Sequence, residues 1–108
     1  MFFHDSEQRA SKELMPGVTT RTFWGERILL SLVDLQPNAV IPRHSHPHEQ
    51  VGMMLQGEMT LSILDETRPV RPGDVYVIPA GVPHGVTLGA LGAQALEAFS
   101  PVREEYKY

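Results

Sequence analysis

The chain predicts an all-β sandwich or closed barrel, on three observations. It breaks into short stretches rich in Val, Ile, Leu and Thr; Gly, Pro, Asn or Asp punctuates them at short intervals; and no segment sustains a helical period. Asp5 to Glu13 is polar and has room for one helical turn before Pro16-Gly17 breaks the chain. The expected strands are Val18 to Trp24, Arg27 to Leu35, Gln50 to Leu55, Glu58 to Leu64, Val75 to Ile78, His84 to Leu88 and Ala93 to Phe99. Gly57, Pro72-Gly73-Asp74 and Pro79-Ala80-Gly81 are read as turn positions, where a missing Cβ or a fixed φ helps the chain reverse. Closing such a sheet removes exposed edges. Leu29, Leu30, Leu32, Val33, Leu35, Leu61, Ile63, Val75, Val77 and Ile78 carry the apolar pattern expected of core and sheet packing, with Met53, Met54 and Trp24 as further packing residues.

Composition narrows the partners. The 108 residues suffice for one domain, 1–108, burying roughly 60–65% of its unfolded surface. With 42% apolar and 20% charged residues the composition is that of a soluble globular protein, and no apolar run is long enough to span a bilayer. A formal charge of -4 with scattered Lys and Arg argues against nucleic acid. The absence of cysteine excludes disulfides, thiolate metal sites and Cys nucleophiles, and the opening Met1-Phe2-Phe3-His4-Asp5 lacks the features of a secretory signal, so a cytoplasmic location is expected.

Chemistry concentrates in His44-Ser45-His46-Pro47-His48-Glu49-Gln50 and in Pro79-Ala80-Gly81-Val82-Pro83-His84, which hold four of the five histidines. Residues two apart on a strand share a face, so His44 and His46 can hold one cation from one side, with Gln50 and His84 completing the shell. Neutral imidazoles and an amide oxygen suit one divalent transition metal, with Ni, Mn, Zn and Fe as candidates. Parity favours Gln50; Glu49 competes if the register slips. His48 shares the parity of Gln50, but Pro47 bends the chain there, and His48 is read as solvated or as holding a ligand oriented. With only neutral ligands a divalent site stays near +2, which attracts an anion such as a carboxylate substrate. Glu97 and Phe99 share a strand face opposite Leu96 and Ala98. If that face is the interior, Glu97 is a partly desolvated carboxyl suited to proton transfer.

These residues resemble the cupin superfamily. Its first motif is met by His44, His46, Gln50 and Gly57, with Asn38 in place of the leading glycine and Gln50 in place of glutamate. Its second is met by Gly73, Pro79, Gly81 and His84, with Leu88 in place of the trailing asparagine. Fifteen residues separate the two motifs. Within the superfamily, the run His44 to Gln50, the opening Met1-Phe2-Phe3-His4 and the ending Ala98-Phe99-Ser100-Pro101-Val102-Arg103-Glu104 are similar to the small pectin-degradation cupins that act as uronate cyclases, and the likeness covers nearly the whole chain.

That resemblance implies a jelly-roll β-barrel, a divalent metal held by three His and one Gln, and linearisation of 4,5-unsaturated monouronates from pectin or alginate breakdown. It also implies a pocket lined by an acidic residue, a phenylalanine and an arginine, at positions matching Glu97, Phe99 and Arg103. Glu97 stands where the family has the shorter aspartate. In this reading Glu97 is the base, Arg103 and the metal stabilise developing charge, Arg103 and Phe99 bind a small anionic sugar acid, and Glu97 and Arg103 form the catalytic pair. A noncatalytic sugar-acid-binding or sensor cupin and an iron-dependent oxygenase are the rival readings, because a fold does not fix a function. Phe2 and Phe3 are hard to bury in so small a fold, so a homodimer is expected to cover them.

Overall fold

The computed structural model describes residues 2–108; Met1 lies outside the described residues. Eight strands follow in order: β1 Lys12–Met15, β2 Val18–Trp24, β3 Leu29–Leu35, β4 Val40–His44, β5 Glu49–Ile63, β6 Glu66–Val70, β7 Val75–Ile78 and β8 His84–Ser100, with a 3₁₀ turn at Glu104–Tyr106. All pairings are antiparallel, in the order β1-β2-β3-β8-β5-β6, with β4 also pairing β8 and β7 pairing β5.

Two long strands organise this jelly-roll arrangement. One half of β8 pairs with β3 through Ala93 to Phe99, and the other pairs with β4 through His84 to Thr87. β5 follows β8 along its whole length and carries β7 and β6 on its other side. The sequence reading divided each of these strands in two, at Gln56–Gly57 and around Gly89–Gly92. Here those glycines allow a bend without ending the strand. The β5–β8 register shifts at Met54/Gln56 and Gly57/Met59. Gly57 takes φ +74°, and a Cβ there would run into the Gly92 carbonyl, so only glycine lets the two strands cross so closely.

Alternation along the strands puts Val18, Val33, Leu35, Met54, Met59, Leu61, Ile78, Val86, Leu88 and Ala95 into the principal core. Leu29, Phe99 and Val102 form a smaller cluster. The expected core residues Val75 and Val77 face out, 62% and 54% exposed, because β7 pairs with β5 in the register that turns Tyr76 and Ile78 inward. Leu30, Met53 and Trp24 are likewise exposed: the first two have outward parity, and Trp24 sits beyond the core at the end of β2, beside Arg9 and Lys107. β1, β4 and β6 were not foreseen, being short and too polar to alternate clearly. The helical turn considered for the polar opening is a pair of i to i+3 turns at Asp5–Arg9, helped by Asp5 Oδ1 accepting from the Glu7 amide.

Candidate metal centre and pocket

His44 and His84 are cross-strand partners, the last residue of β4 opposite the first of β8, with ring centroids 4.4 Å apart. His46 is not on a strand. β4 ends at His44, and Ser45–His48 loops across to β5, which brings the His46 ring to 4.8 Å from His84 and 5.7 Å from His44. The strand parity assumed for His44 and His46 therefore does not operate; the Pro47 loop does the converging instead. Gly81 N donates to the His46 carbonyl at 2.8 Å, tying the two histidine-bearing loops together.

The ligand nitrogens of His44, His46 and His84 all lie within 4.8 Å of one another. Each ring is oriented from behind by a backbone carbonyl: His44 Nδ1 to Pro42 O at 2.8 Å, His46 Nδ1 to His48 O at 3.0 Å, and His84 Nδ1 to Val82 O at 2.9 Å. A carbonyl only accepts, so Nδ1 carries the proton in each ring and Nε2 keeps a lone pair. Outer-shell fixing of this kind is what metal-ligating imidazoles require. His48 does orient a neighbour, through its carbonyl and not its ring, whose buried Nδ1 has no partner.

Gln50 is 6% exposed and points inward, while Glu49 faces solvent. Its Nε2 donates to Glu97 Oε2 at 2.7 Å, which assigns the amide orientation and leaves Oε1 toward His46 Nε2 at 3.1 Å. Two acceptors then face each other. A divalent cation shared between them fits this donor set, with His44 and His84 adding two more nitrogens. Burial, reinforced by the Arg103 charge, holds His46 below the usual imidazole range, and burial holds His84 down to about 4, so both rings stay neutral and able to ligate.

One inward row down the sheet carries the remaining polar chemistry. Thr22 pairs with Ser31, Ser31 with Glu97, Glu97 with Gly52 and Gly52 with Tyr76, across β2, β3, β8, β5 and β7. The next row holds Leu29, Phe99, Gln50 and Ile78, so Glu97 stands directly behind the Gln50 amide. Burial pushes the Glu97 carboxyl above its ordinary value, while the hydrogen bonds from Tyr76 and Gln50 and the Arg103 charge pull it back. Arg103 lies with its guanidinium 4.1 Å from the Tyr106 ring centroid and 5.2 Å from that of Phe99. Its side chain is 13% exposed, Glu105 approaches only to 3.7 Å, and the buried Nε has no hydrogen-bond partner.

A cavity of about 290 Å³ joins these groups, lined by His44, Gln50, His84, Glu97, Phe99 and Arg103, with Ile41, Ile78 and Tyr106 among the apolar and aromatic walls. Tyr76, Gly52 and Tyr106 had not been singled out. Tyr76 sits in the uniformly apolar run Val75–Ile78, where only strand register reveals which side chains turn inward.

A family model for the cupin domain matches residues 31–99. The chain is 26% identical over 97 residues to the pectin degradation protein KdgF of Dickeya dadantii, covering 88% of each chain. Among solved structures it resembles KdgF from Halomonas sp., at TM-score 0.90, 24% identity and 97% coverage of both chains. It also resembles an RmlC-like cupin from Shewanella frigidimarina, at TM-score 0.93, 22% identity and coverage of 99% and 96%. The chain spans 32% to 42% of the length of the germin-like proteins it matches. Among the described residues no helix is long and apolar enough to cross a membrane.

Proposed function

The chain belongs to the cupin domain family, and from that premise we propose that it is a metal-dependent isomerase that linearises 4,5-unsaturated monouronates. The observation that carries the proposal is a carboxyl group and an underused guanidinium, Glu97 and Arg103, lining the same cavity as two of the histidines and Gln50. Similarity to a protein of pectin degradation supports the substrate class. A cavity of about 290 Å³, at the small end of ligand pockets, suits one sugar ring better than an oligomer.

Three imidazoles and the Gln50 amide oxygen would hold the ion, and with no anionic ligand among them a divalent ion keeps its full charge. When bound, the ion supplies a Lewis acid toward negative charge developing on substrate oxygen. Arg103, stacked on Phe99 and Tyr106, presents a fork that matches the substrate carboxylate. Glu97 Oε2 accepts both protein hydrogen bonds, leaving Oε1 to face the cavity as the proton acceptor. Glu97 takes the proton of the anomeric hydroxyl, the C1–ring oxygen bond breaks, and its electron pair stays on the oxygen at C5. Reprotonation at C4 from Glu97 then converts the enolate to a ketone, so the product is a linear keto aldehyde isomeric with the substrate.

Loss of the ultraviolet absorbance of the conjugated double bond tests this. Acceleration by metal-loaded protein is expected, and no acceleration on a panel of unsaturated uronates rejects it. We further propose that two copies pair. Leu30, Val51, Met53, Val75 and Val77 form an exposed apolar outer face, and Phe2, 94% exposed, and Phe3 project from the same chain, which together support a partner of the same kind.

A further inference from the structure

We propose that Tyr76 is a positioning residue that holds the Glu97 carboxylate in its working place, and that Gly52 is glycine in order to let it do so. The proposal rests on the isomerase reading for its kinetic consequence and on geometry for everything else.

Tyr76 and Glu97 are not on neighbouring strands. β5 runs between them, and the residue of β5 that pairs with both is Gly52. On a pleated sheet the inward side chain of a middle strand separates the side chains on either side of it. Gly52 has none. A Cβ built there would occupy the space of the Tyr76 ring, meeting Cε2, Cζ and the hydroxyl. The phenol therefore passes over Gly52, and its hydroxyl donates to Glu97 Oε2 at 2.7 Å. Gly52 has no positive φ and marks no turn, so backbone conformation does not call for glycine here; the crossing phenol does.

What the contact accomplishes follows from which oxygen it chooses. The Gln50 amide also donates to Oε2, at 2.7 Å. Two donors converging from different strands fix one carboxylate oxygen in two directions, and the side chain can no longer swing about its terminal bonds. Oε1 takes neither bond, on a side chain that lines the cavity. With Gln50 alone, the carboxylate could follow the amide or turn away from it. Tyr76 itself is 6% exposed, does not line that cavity, and acts on substrate only through Glu97. Burial and the adjacent carboxylate raise its own ionisation far out of reach, so the phenol remains a donor at every working pH.

The experiment compares metal-loaded wild type, Tyr76→Phe, Gly52→Ala and the double variant by crystallography and by turnover of an unsaturated galacturonate. Tyr76→Phe removes one oxygen and keeps the ring packing, so it decides the matter even if Gly52→Ala fails to fold. The expected result is a Glu97 carboxylate displaced by about 1 Å or more, with kcat reduced on the order of ten- to a hundredfold and KM within about twofold of wild type. Gly52→Ala should do the same by evicting the phenol, and adding Tyr76→Phe to it should cost little more, because both act through one contact. A Glu97 side chain in its wild-type place in the Tyr76→Phe crystals, or an unchanged kcat, overturns the proposal. If wild type turns over no uronate, the isomerase reading is lost and the crystallographic comparison alone decides the positioning role.

Discussion

His46 Nε2 and Gln50 Oε1 stand 3.1 Å apart with a lone pair on each, because the His48 carbonyl accepts the imidazole proton and Glu97 Oε2 accepts from the Gln50 amide nitrogen. The Glu97 carboxylate thus sets the amide that faces the candidate metal position, and carboxylate, amide and imidazole are mechanically one unit. Substitution of any member should be felt by the others.

Removing a ligand should empty the centre. His84→Ala should lower metal affinity by on the order of a hundredfold or more, measured as metal retained after dialysis by elemental analysis. Chelation of the wild type should lower its melting temperature by about 10 °C, since an ion at about a hundred times its Kd contributes about 2.7 kcal/mol. Full metal retention by His84→Ala would remove this histidine from the ligand set.

Glu97→Gln keeps size and hydrogen bonding while deleting the proton acceptor. Turnover should fall on the order of a hundredfold or more, with substrate affinity within a few-fold of wild type. Comparable losses in kcat and in affinity would reassign Glu97 to binding.

Without metal, acid should destabilise the fold. His84 titrates near 6.5 when unfolded and is held down to about 4 by burial when folded, and His46 shifts the same way. Between those values the unfolded chain binds protons that the folded chain refuses, so stability is present above pH 6.5 and is lost as pH falls toward 4. For His84 alone the loss approaches about 3 kcal/mol. Glu97, raised by burial, contributes with the opposite sign. Urea denaturation of metal-free protein across this range checks the sign; flat stability would show the rings to be better solvated than their burial implies.

Gly57→Ala should be among the most damaging single-atom additions. It combines a φ of +74° with a Cβ directed at the Gly92 carbonyl where β5 and β8 bend together. A loss of at least about 3 kcal/mol is expected from urea unfolding. Gly73→Ala, also at positive φ but in open space, should cost roughly 1–2 kcal/mol.

Charging the outer face should separate a dimer. Val51→Lys with Val77→Lys replaces cross-strand neighbours that both face outward. Light scattering at micromolar concentration should give a dimer for wild type and a monomer for the variant, with little change in melting temperature. A monomeric wild type ends the dimer proposal.

Local patterning made the class of fold legible: alternation, turn residues and the His44–Gln50 cluster are all short-range properties. That Glu97 and Phe99 share a face was readable for the same reason; that the face is the interior was not. Where the chain is uniformly apolar, as in Val75–Ile78, alternation carries no information about which face is inside, and Val75 and Val77 were placed on the wrong one. Glycine was equally ambiguous. Gly57 read as the end of a strand that in fact bends and continues, and Gly52 carried no signal because its reason for being glycine is a phenol 24 residues further along the chain.

By itself, then, the sequence determined the β architecture, from period and turn residues, and singled out His44, His46, Gln50 and His84 as candidate ligands and Glu97 as a candidate base. Only the tertiary structure decided that a loop, and not a strand, brings His46 to the centre, that Glu97 is gripped by Gln50 and Tyr76 through a single oxygen, and that Arg103 lies against Phe99 and Tyr106 with hydrogen-bonding capacity to spare. Those contacts join residues far apart in the chain. They exist because the β5–β7 and β5–β8 registers are set by cooperative packing of the whole sheet, which no local window of sequence encodes.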